Sequence, residues 1–259
     1  MRTFARSQSA RRVGIAVVLV MAVACTVDGP QGAVTRPSGP DCARGVGTDE
    51  YTHQSARVVL VHLPACYSET DRRYPVIYLL HGAGADETQW VDIGTTVEID
   101  RLAERGEIGQ ALLVAPDQGD VPAAGRAAEV PELVTWADSN YRTIADRDHR
   151  SIGGISRGGQ AALSAAAHDP ALFGSVAGHS TTLPPDREEL LVGLRPLTGH
   201  VWLDAGASDP LLDEVVSFAA DLERTGTANS LVIAPGGHDR DYWRASIDSY
   251  LRFYAHRWL

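Results

Sequence analysis

The sequence predicts an α/β protein in which one mostly parallel sheet is covered by helices on both faces. Short apolar runs alternate with amphipathic helical segments from about residue 46 to the end of the chain, and this alternation is typical of parallel sheets. The run VIYLL at residues 76–80 is unbroken, as expected for a strand that is buried on both faces. The 259 residues suffice for one sizeable core, and we find no internal repeat and no sign of a second domain.

Each element follows from a local pattern of apolar residues and turn formers. Strands are predicted at residues 46–54 and 57–64, as an antiparallel pair, and then at 76–80, 111–116, 150–155, 174–178, 200–205 and 230–235. Helices are predicted at residues 95–105, 130–140, directly after Ser156, and at 210–224 and 241–258. Residues 181–199 hold about one short helix and are the only candidate for a cap, so the cap is minimal. We interpret an aromatic stripe on the last helix as core packing; it comprises Trp243, Ile247, Tyr250, Tyr254 and Trp258.

The charge balance argues against binding to nucleic acid. The net charge is −10, and all 23 basic residues are arginine. Residues 1–24 hold four arginines and no acid, so the remainder carries 19 basic and 33 acidic residues, a net charge of −14. An acidic body does not attract phosphate backbones or anionic lipid. The lack of lysine excludes Schiff-base chemistry, Ser-Lys dyads and a lysine-containing phosphate loop.

The N-terminus has the pattern of an export signal. Basic residues precede the apolar run VGIAVVLVMAVA, and Ala22-Val23-Ala24 is an A-x-A cleavage site. Cys25 follows at once, so the segment also resembles a bacterial lipoprotein signal in which that cysteine carries lipid. An uncleaved N-terminal anchor is the alternative. We therefore expect an export signal at residues 1–24, a flexible lead-in at 25–45 and one catalytic domain at 46–259.

The remaining cysteines, Cys42 and Cys66, are candidates for a disulfide in an oxidising compartment. No cysteine lies in a C-x-x-C pair, and no histidine shows H-E-x-x-H or H-x-H spacing. We therefore expect no metal site and no cofactor.

The stretch Ser151–Gln160 (SIGGISRGGQ) carries the candidate nucleophile. It reads as a buried strand, a sharp turn and a helix of small residues, with Gly154-x-Ser156-x-Gly158 at the turn. Such an elbow exposes a serine at the end of a strand, where the helix N-terminus favours developing negative charge. The flanking glycines let the strand and helix approach closely. The G-x-S-x-G pattern alone is modest support for a nucleophile, because it occurs by chance in roughly one or two of every ten chains this rich in glycine.

Candidate partners for Ser156 follow two later strands in the order that elbow-type hydrolases require. Asp209 comes shortly after the strand at residues 200–205, and His238 lies on a glycine-rich turn after the last strand. His238 would act as the general base, and Asp209 would orient its imidazole. Asp204, at the end of its strand, is the alternative acid or a carboxylate that pins the loop.

The loop after the strand at 76–80 is a candidate for the oxyanion hole. It begins His81-Gly82-Ala83, and we assign the backbone N–H groups of Ala83 and Arg157 as the two donors. An ordinary strand-ending turn is the alternative. His81 and His179 are expected to line the substrate cleft, and Trp90 is expected to cover the acyl pocket unless it only packs the loop.

With these residues assigned, the chain resembles the putative-esterase family of α/β hydrolases. That group includes esterase D, feruloyl esterases, enterochelin-esterase-like proteins and the mycolyltransferases of the antigen 85 complex. The resemblance covers most of the chain from about Ala56 onward, including YPVIYLLHGAGADETQW and HRSIGGISRGGQAALSAAAHDPALFGSVAGHS. It implies the α/β-hydrolase fold, the Ser156, Asp209 and His238 assignment, and the same two oxyanion donors. Arg157 stands where the family usually has Met; its side chain either changes the polarity of the acyl site or pairs with an acid beside the helix.

The sequence is compatible with three functions. The leading one is an exported serine esterase that hydrolyses a small or polymer-borne carboxylic ester through an acyl-enzyme, with membrane tethering through Cys25 left open. An acyltransferase similar to the mycolyltransferases would use the same three residues. A non-enzymatic binding module on the same fold is disfavoured, because it would need none of them.

Overall fold

A single eight-stranded sheet organises the part of the chain that the structure describes. The structure is a computed structural model, and it describes residues 45–53 and 55–258, with side chains from Val58 onward. These residues belong to one compact unit, Pro40–Leu259. The strand order is β1-β2-β4-β3-β5-β6-β7-β8. β1 and β2 form an antiparallel pair, β2 pairs antiparallel with β4, and all other neighbours are parallel.

The described elements alternate along the chain as the sequence predicts. The strands are β1 Gly45–His53, β2 Ser55–Leu63, β3 Val76–Leu80, β4 Leu112–Pro116, β5 Arg150–Ile155, β6 Ser175–His179, β7 Val201–Gly206 and β8 Ser230–Ala234. The helices are α1 Gln89–Asp92, α2 Thr95–Glu104, α3 Ala123–Asn140, α4 Arg157–His168, α5 Glu188–Gly193, α6 Leu212–Arg224 and α7 Arg240–Ala255. The predicted α/β class with a mostly parallel sheet is confirmed.

The largest difference from the prediction concerns the start of α3. This helix begins at Ala123 rather than at residue 130, and it continues through Pro131. A proline inside a helix removes one backbone hydrogen bond, which is why the sequence favoured a later start. The buried face of α3, with Val130, Leu133 and Val134, offsets that loss by packing against the sheet.

Two apolar layers cover the sheet, one on each face. In β3, Val76, Tyr78 and Leu80 face one layer, and Ile77 and Leu79 face the other. This is the alternation of a pleated strand. The first layer holds residues of α3, α4, α5 and α6, and the second holds residues of α1, α2 and α7. All five residues of β3 are buried, as its unbroken apolar run predicts.

The aromatic stripe of α7 packs in the second layer, as the sequence predicts. Tyr250 and Tyr254 are each 1% exposed. A Cβ atom at Gly153 would lie 1.7 Å from the Tyr254 hydroxyl oxygen. Only glycine at that position of β5 therefore lets α7 lie this close to the sheet.

The N-terminal predictions lie outside the described residues. They comprise the export signal at 1–24, Cys25 as a lipidation site, most of the lead-in at 25–45, and Cys42. The pairing of Cys42 with Cys66 therefore stays a prediction, as do the domain boundaries. Within residues 45–258, no helix has both the length and the apolar character that a membrane crossing requires.

Candidate active site

Ser156 occupies a strained turn between β5 and α4. Its backbone has φ 54° and ψ −117°, in a region that residues with a side chain rarely adopt. The turn is held by close backbone contact: a Cβ atom at Gly154 would lie 2.2 Å from the carbonyl carbon of Gly158. Any residue with a Cβ atom at Gly154 would therefore clash with the backbone of Gly158. Ser156 is partly exposed at the N-terminus of α4, where the helix dipole favours a negative charge.

The first turn of α4 lies against the end of β3. A Cβ atom at Gly158 would be 2.3 Å from the Leu80 oxygen and 2.5 Å from the His81 oxygen. This contact brings the loop that begins at His81 next to the elbow. Among the described residues, neither the N–H of Ala83 nor that of Arg157 donates to a protein acceptor. Both amides are therefore free to bind an anionic oxygen, which is the property an oxyanion hole needs.

Asp209 and His238 are hydrogen-bonded to each other. The Nδ1 atom of His238 lies 3.0 Å and 3.2 Å from the two carboxylate oxygens of Asp209. The Asp209 side chain is fully buried and that of His238 is 27% exposed. The loops after β7 and β8 are joined by a bond from Ser208 N to Gly236 O of 2.8 Å. This bond explains how two residues from separate strands meet.

A tryptophan on α7 connects the His238 loop with the elbow. Ser156 N donates to His179 O over 2.9 Å, and the next residue, Ser180, accepts a bond of 3.1 Å from the Trp243 ring. The Trp243 ring contacts the His238 ring edge to face, with centroids 5.3 Å apart. The structure shows no direct hydrogen bond between Ser156 Oγ and His238 within 3.5 Å. In ligand-free sites such bonds are often long and tighten when substrate binds.

Asp204, which lies within β7, has a different role from Asp209, which lies in the loop after it. It is 1% exposed, and each of its two oxygens accepts two hydrogen bonds from buried groups. The donors are His179 Nδ1 at 2.6 Å, Trp202 Nε1 at 2.7 Å, Tyr250 OH at 2.8 Å and Tyr242 OH at 2.9 Å. Burial, followed by the Asp204 charge, raises the pKa of both tyrosines, so they stay protonated donors. Asp204 thus fixes α7 to the sheet and is not available to His238.

The expectation that His81, Trp90 and His179 contact substrate is corrected by the structure. They are 1%, 2% and 0% exposed. His179 bonds Asp204 and the Tyr254 hydroxyl and stacks on Tyr250 with centroids 3.6 Å apart. Their positions at strand ends and in a nearby loop suggested exposure, but α7 and the neighbouring loops cover them. These three side chains therefore pack and hydrogen-bond beneath the surface of the site and do not line it.

His81 and Trp90 anchor the loop after β3. His81 Nε2 accepts a bond of 3.1 Å from Gln118 N, and its Nδ1 lies 2.8 Å from Gly82 O. Because Gln118 N is a donor, the ring is neutral with its proton on Nδ1. Trp90 Nε1 donates to Leu80 O over 3.2 Å. The alternative interpretation of Trp90, loop packing, therefore holds.

The side chain of Arg157 pairs with Asp120, in the loop after β4. This is the second of the two roles that the sequence allowed. A pocket of about 210 Å³ lies beside the site between the β3 loop and α7. Its lining includes Gly84, Asp92 and Trp243, so it borders both the Ala83 loop and the ring that contacts His238.

Sequence reasoning missed Trp243, Gln118 and Arg126 as residues of the site. Trp243 was assigned only to the core stripe, and nothing in the local sequence of the other two indicates that they reach His81. Among the described side chains, no three His, Cys, Asp or Glu residues form a group that could hold a metal ion.

The buried His81 ring predicts a pH dependence of stability. Burial, followed by the charge of Arg126, lowers its pKa below 6.5 in the folded state. Between the ordinary pKa and this lower value the unfolded state binds the extra proton, so the free energy of unfolding falls as pH falls below about 6.5. We expect His81→Gln, which keeps an acceptor for Gln118 N, to flatten this part of the profile in urea unfolding. His168→Gln, on the surface, is the matched control, and an unchanged slope in His81→Gln would contradict the assignment.

Comparison with known proteins gives the same family as the sequence. The family model Esterase, described as "Putative esterase", matches residues 51–254. Esterase Rv1288 of Mycobacterium tuberculosis is 33% identical over 136 residues, which cover 47% of this chain and 28% of that protein. The chain therefore spans little more than a quarter of this relative.

Solved structures share the fold. A ferulic acid esterase superposes with a TM-score of 0.74 at 24% identity, covering 83% of this chain and 99% of that one. S-formylglutathione hydrolase (FrmB) from Staphylococcus aureus superposes with a TM-score of 0.68 at 18% identity, covering 84% and 98%. The α/β-hydrolase fold is thus confirmed. Since the family model matches most of its length, the chain belongs to the Esterase family.

Proposed function

We propose that this protein is an exported serine esterase that hydrolyses a carboxylic ester through Ser156, His238 and Asp209. The observation that supports it most is the combination of a strained, partly exposed serine at a helix N-terminus with a histidine held by a buried carboxylate. Family membership supports the same activity. In such a triad the serine is the nucleophile, the histidine is the general base and the carboxylate orients the histidine.

The nucleophile is Ser156 and the base is His238. His238 Nε2 takes the hydroxyl proton as Ser156 Oγ attacks the ester carbonyl carbon, and it then gives that proton to the leaving alcohol. The acyl-enzyme that remains is hydrolysed by water, which His238 deprotonates in the same way. Asp209 keeps the His238 proton on Nδ1 and stabilises the imidazolium that forms.

The negative charge on the carbonyl oxygen is accepted by the N–H groups of Ala83 and Arg157. Neither has a protein acceptor among the described residues, so they bind the oxyanion without first breaking another bond. One such donor contributes about 10²–10³ to the rate in a characterised serine hydrolase. The helix dipole of α4 acts in the same direction.

The substrate class of this proposal is a carboxylic ester, which membership of the Esterase family supports. Relatives in sequence include a protein named endo-1,4-beta-xylanase/feruloyl esterase. A panel of esters with acetyl, butyryl, octanoyl and feruloyl groups therefore defines the acyl preference. Product partitioning with an added sugar alcohol distinguishes hydrolysis from acyl transfer.

The main test is replacement of the nucleophile. We expect Ser156→Ala to lower kcat for p-nitrophenyl acetate by about four to six orders of magnitude, because the acyl-enzyme cannot form. A fluorophosphonate probe should label wild type stoichiometrically at Ser156 and should not label the variant. Ser164→Ala, on the same helix, is the matched control and should keep both properties. Full turnover by Ser156→Ala, or no labelling of folded wild type, would sink the enzyme assignment.

A second test separates the carboxylate within β7, Asp204, from the one in the loop after it, Asp209. We expect Asp209→Asn to lower kcat by about 10⁴ with little loss of stability, because the neutral amide neither keeps the His238 proton on Nδ1 nor stabilises the imidazolium. Asp204→Asn should lower the free energy of unfolding by about 2–4 kcal/mol, because buried donors lose their acceptor, and it should lower kcat less. Steady-state kinetics and urea unfolding of both variants measure this. The opposite ranking in kcat would exchange their roles.

Export and lipidation at Cys25 form part of the proposal. The A-x-A site before Cys25 is the feature that motivates it. We expect the full chain, expressed in a bacterial host, to be cleaved after Ala24, and mass spectrometry of its N-terminus measures this. Cys25→Ser should move a lipidated chain from membranes to the soluble exported fraction, and it should change nothing if the chain is freely secreted. An uncleaved N-terminus would contradict export by cleavage.

A further inference from the structure

Arg126 is a buried cation whose guanidinium donates to three backbone carbonyls and also lies 3.5 Å, Nη1 to Nδ1, from the His81 ring. It lies in the first turn of α3 and is 0% exposed. Its Nη1 donates to His81 O at 2.6 Å, its Nη2 to Gly119 O at 2.5 Å and its Nε to Val121 O at 3.0 Å. Within the described part of the chain, no carboxylate oxygen approaches it to the 4.0 Å of an ion pair.

Burial of an arginine without an ion-pair partner is costly. Moving a charged group out of water costs several kcal/mol, which hydrogen bonds from the charged group only partly offset. Burial, followed by the charge of Arg157, lowers the pKa of Arg126, as expected for a cation in a poorly solvated place. The charges of Asp120, Asp117 and Glu129 act on this pKa in the opposite direction without cancelling the shift. Neutral donors could satisfy the same three carbonyls, so the positive charge itself points to a role besides packing.

One bond of Arg126 ends on the peptide group directly before the one that carries the Ala83 N–H. The peptide between His81 and Gly82 is held at both ends, its oxygen by Arg126 at 2.6 Å and its N–H by Gln89 Oε1 at 2.7 Å. The next peptide supplies the N–H of Ala83, and its oxygen, Gly82 O, accepts the His81 Nδ1 proton over 2.8 Å. The direction of the Ala83 N–H is therefore fixed by neighbours on either side.

The loop after β4 links this peptide to the second donor. Gln118 N donates to the His81 ring over 3.1 Å, and Gln118 Nε2 donates to Arg126 O over 2.9 Å. Two residues later, Asp120 pairs with the side chain of Arg157, whose N–H is the other donor. Arg126 bonds this loop at two carbonyls. One short loop thus ties together both residues that face the reacting oxygen.

We propose that Arg126 is a positioning residue for the oxyanion hole: it holds the His81 peptide and the loop after β4 so that the amides of Ala83 and Arg157 converge. Its buried positive charge also favours the negative oxygen of the tetrahedral intermediate over the neutral ester. The inference rests on the proposed esterase function. It concerns the transition state, so it predicts a loss in kcat and little change in KM.

The experiment compares two buried arginines in the full-length wild-type background. We expect Arg126→Met to lower kcat for p-nitrophenyl acetate by about 10- to 100-fold, since small displacements of a transition-state donor have effects of this size. KM should change less than about twofold. Arg150→Met is the matched control: Arg150 is 8% exposed and bonds Asp138 at the opposite end of β5. It should lose stability and keep kcat.

The inhibition constant of a transition-state analogue tests the oxyanion hole separately from a loss of overall stability. Phenylboronic acid forms a tetrahedral anionic adduct with an active-site serine, and its inhibition constant should rise in Arg126→Met by the same factor by which kcat/KM falls. Fluorophosphonate labelling of Ser156 should remain stoichiometric. Arg126→Lys retains the charge but cannot reach three carbonyls with one ammonium group. We expect its kcat to lie between those of Arg126→Met and wild type.

The other possible results also test the proposed role of Arg126. Folded Arg126→Met with wild-type kcat and boronate affinity would overturn the proposal, as would an equal loss of kcat in Arg150→Met. If Arg126→Met does not fold, Arg126→Lys decides, because a wild-type kcat in that variant would show that the guanidinium fork is not needed. Absence of fluorophosphonate labelling in wild type would instead remove the proposed function itself.

Discussion

The close backbone contact between the end of β5 and the first turn of α4 is the constraint on which the site depends. A Cβ atom at Gly154 would overlap the backbone of Gly158, and one at Gly158 would overlap the carbonyl oxygens of Leu80 and His81. This approach holds Ser156 in a strained conformation with φ 54° and ψ −117°, and a parallel sheet then places the ends of the neighbouring strands around it. The strain is local, and the surrounding sheet and helix compensate for it.

Asp204, within β7, and Asp209, in the loop after it, show how their surroundings give two identical carboxylates different roles. Asp204 is enclosed by four donors, including two tyrosines of α7, so it holds this helix against the sheet. Asp209, a few residues later, meets His238 and the N–H of Leu211. The first carboxylate fixes the helix that follows the His238 loop, and the second fixes the ring itself. Asp204 thus contributes to the stability of the fold, and Asp209 sets the orientation of the His238 ring.

Much of the architecture around the proposed reaction consists of side chains that never face substrate. His81, Trp90 and His179 are buried beneath the edge of the sheet, where they bond backbone carbonyls, a carboxylate or a tyrosine. Preorganised donors stabilise a transition state only if they do not move when charge develops. A buried polar layer that is almost fully hydrogen-bonded provides this rigidity.

The sequence alone determined the fold class, and it predicted the sharp turn at Ser156 and the proximity of Asp209 to His238 that the structure contains. These features depend on short-range patterns: unbroken apolar runs, glycines at fixed spacing and the order of polar residues after strands. The sequence did not determine the start of α3, since Pro131 locally disfavours a helix that long-range packing stabilises. Nor did it determine that His81, Trp90 and His179 are buried, or that Arg126 reaches the carbonyl of His81. Those facts depend on which residues distant in the chain come to cover a strand end, and only the tertiary structure brings such residues together.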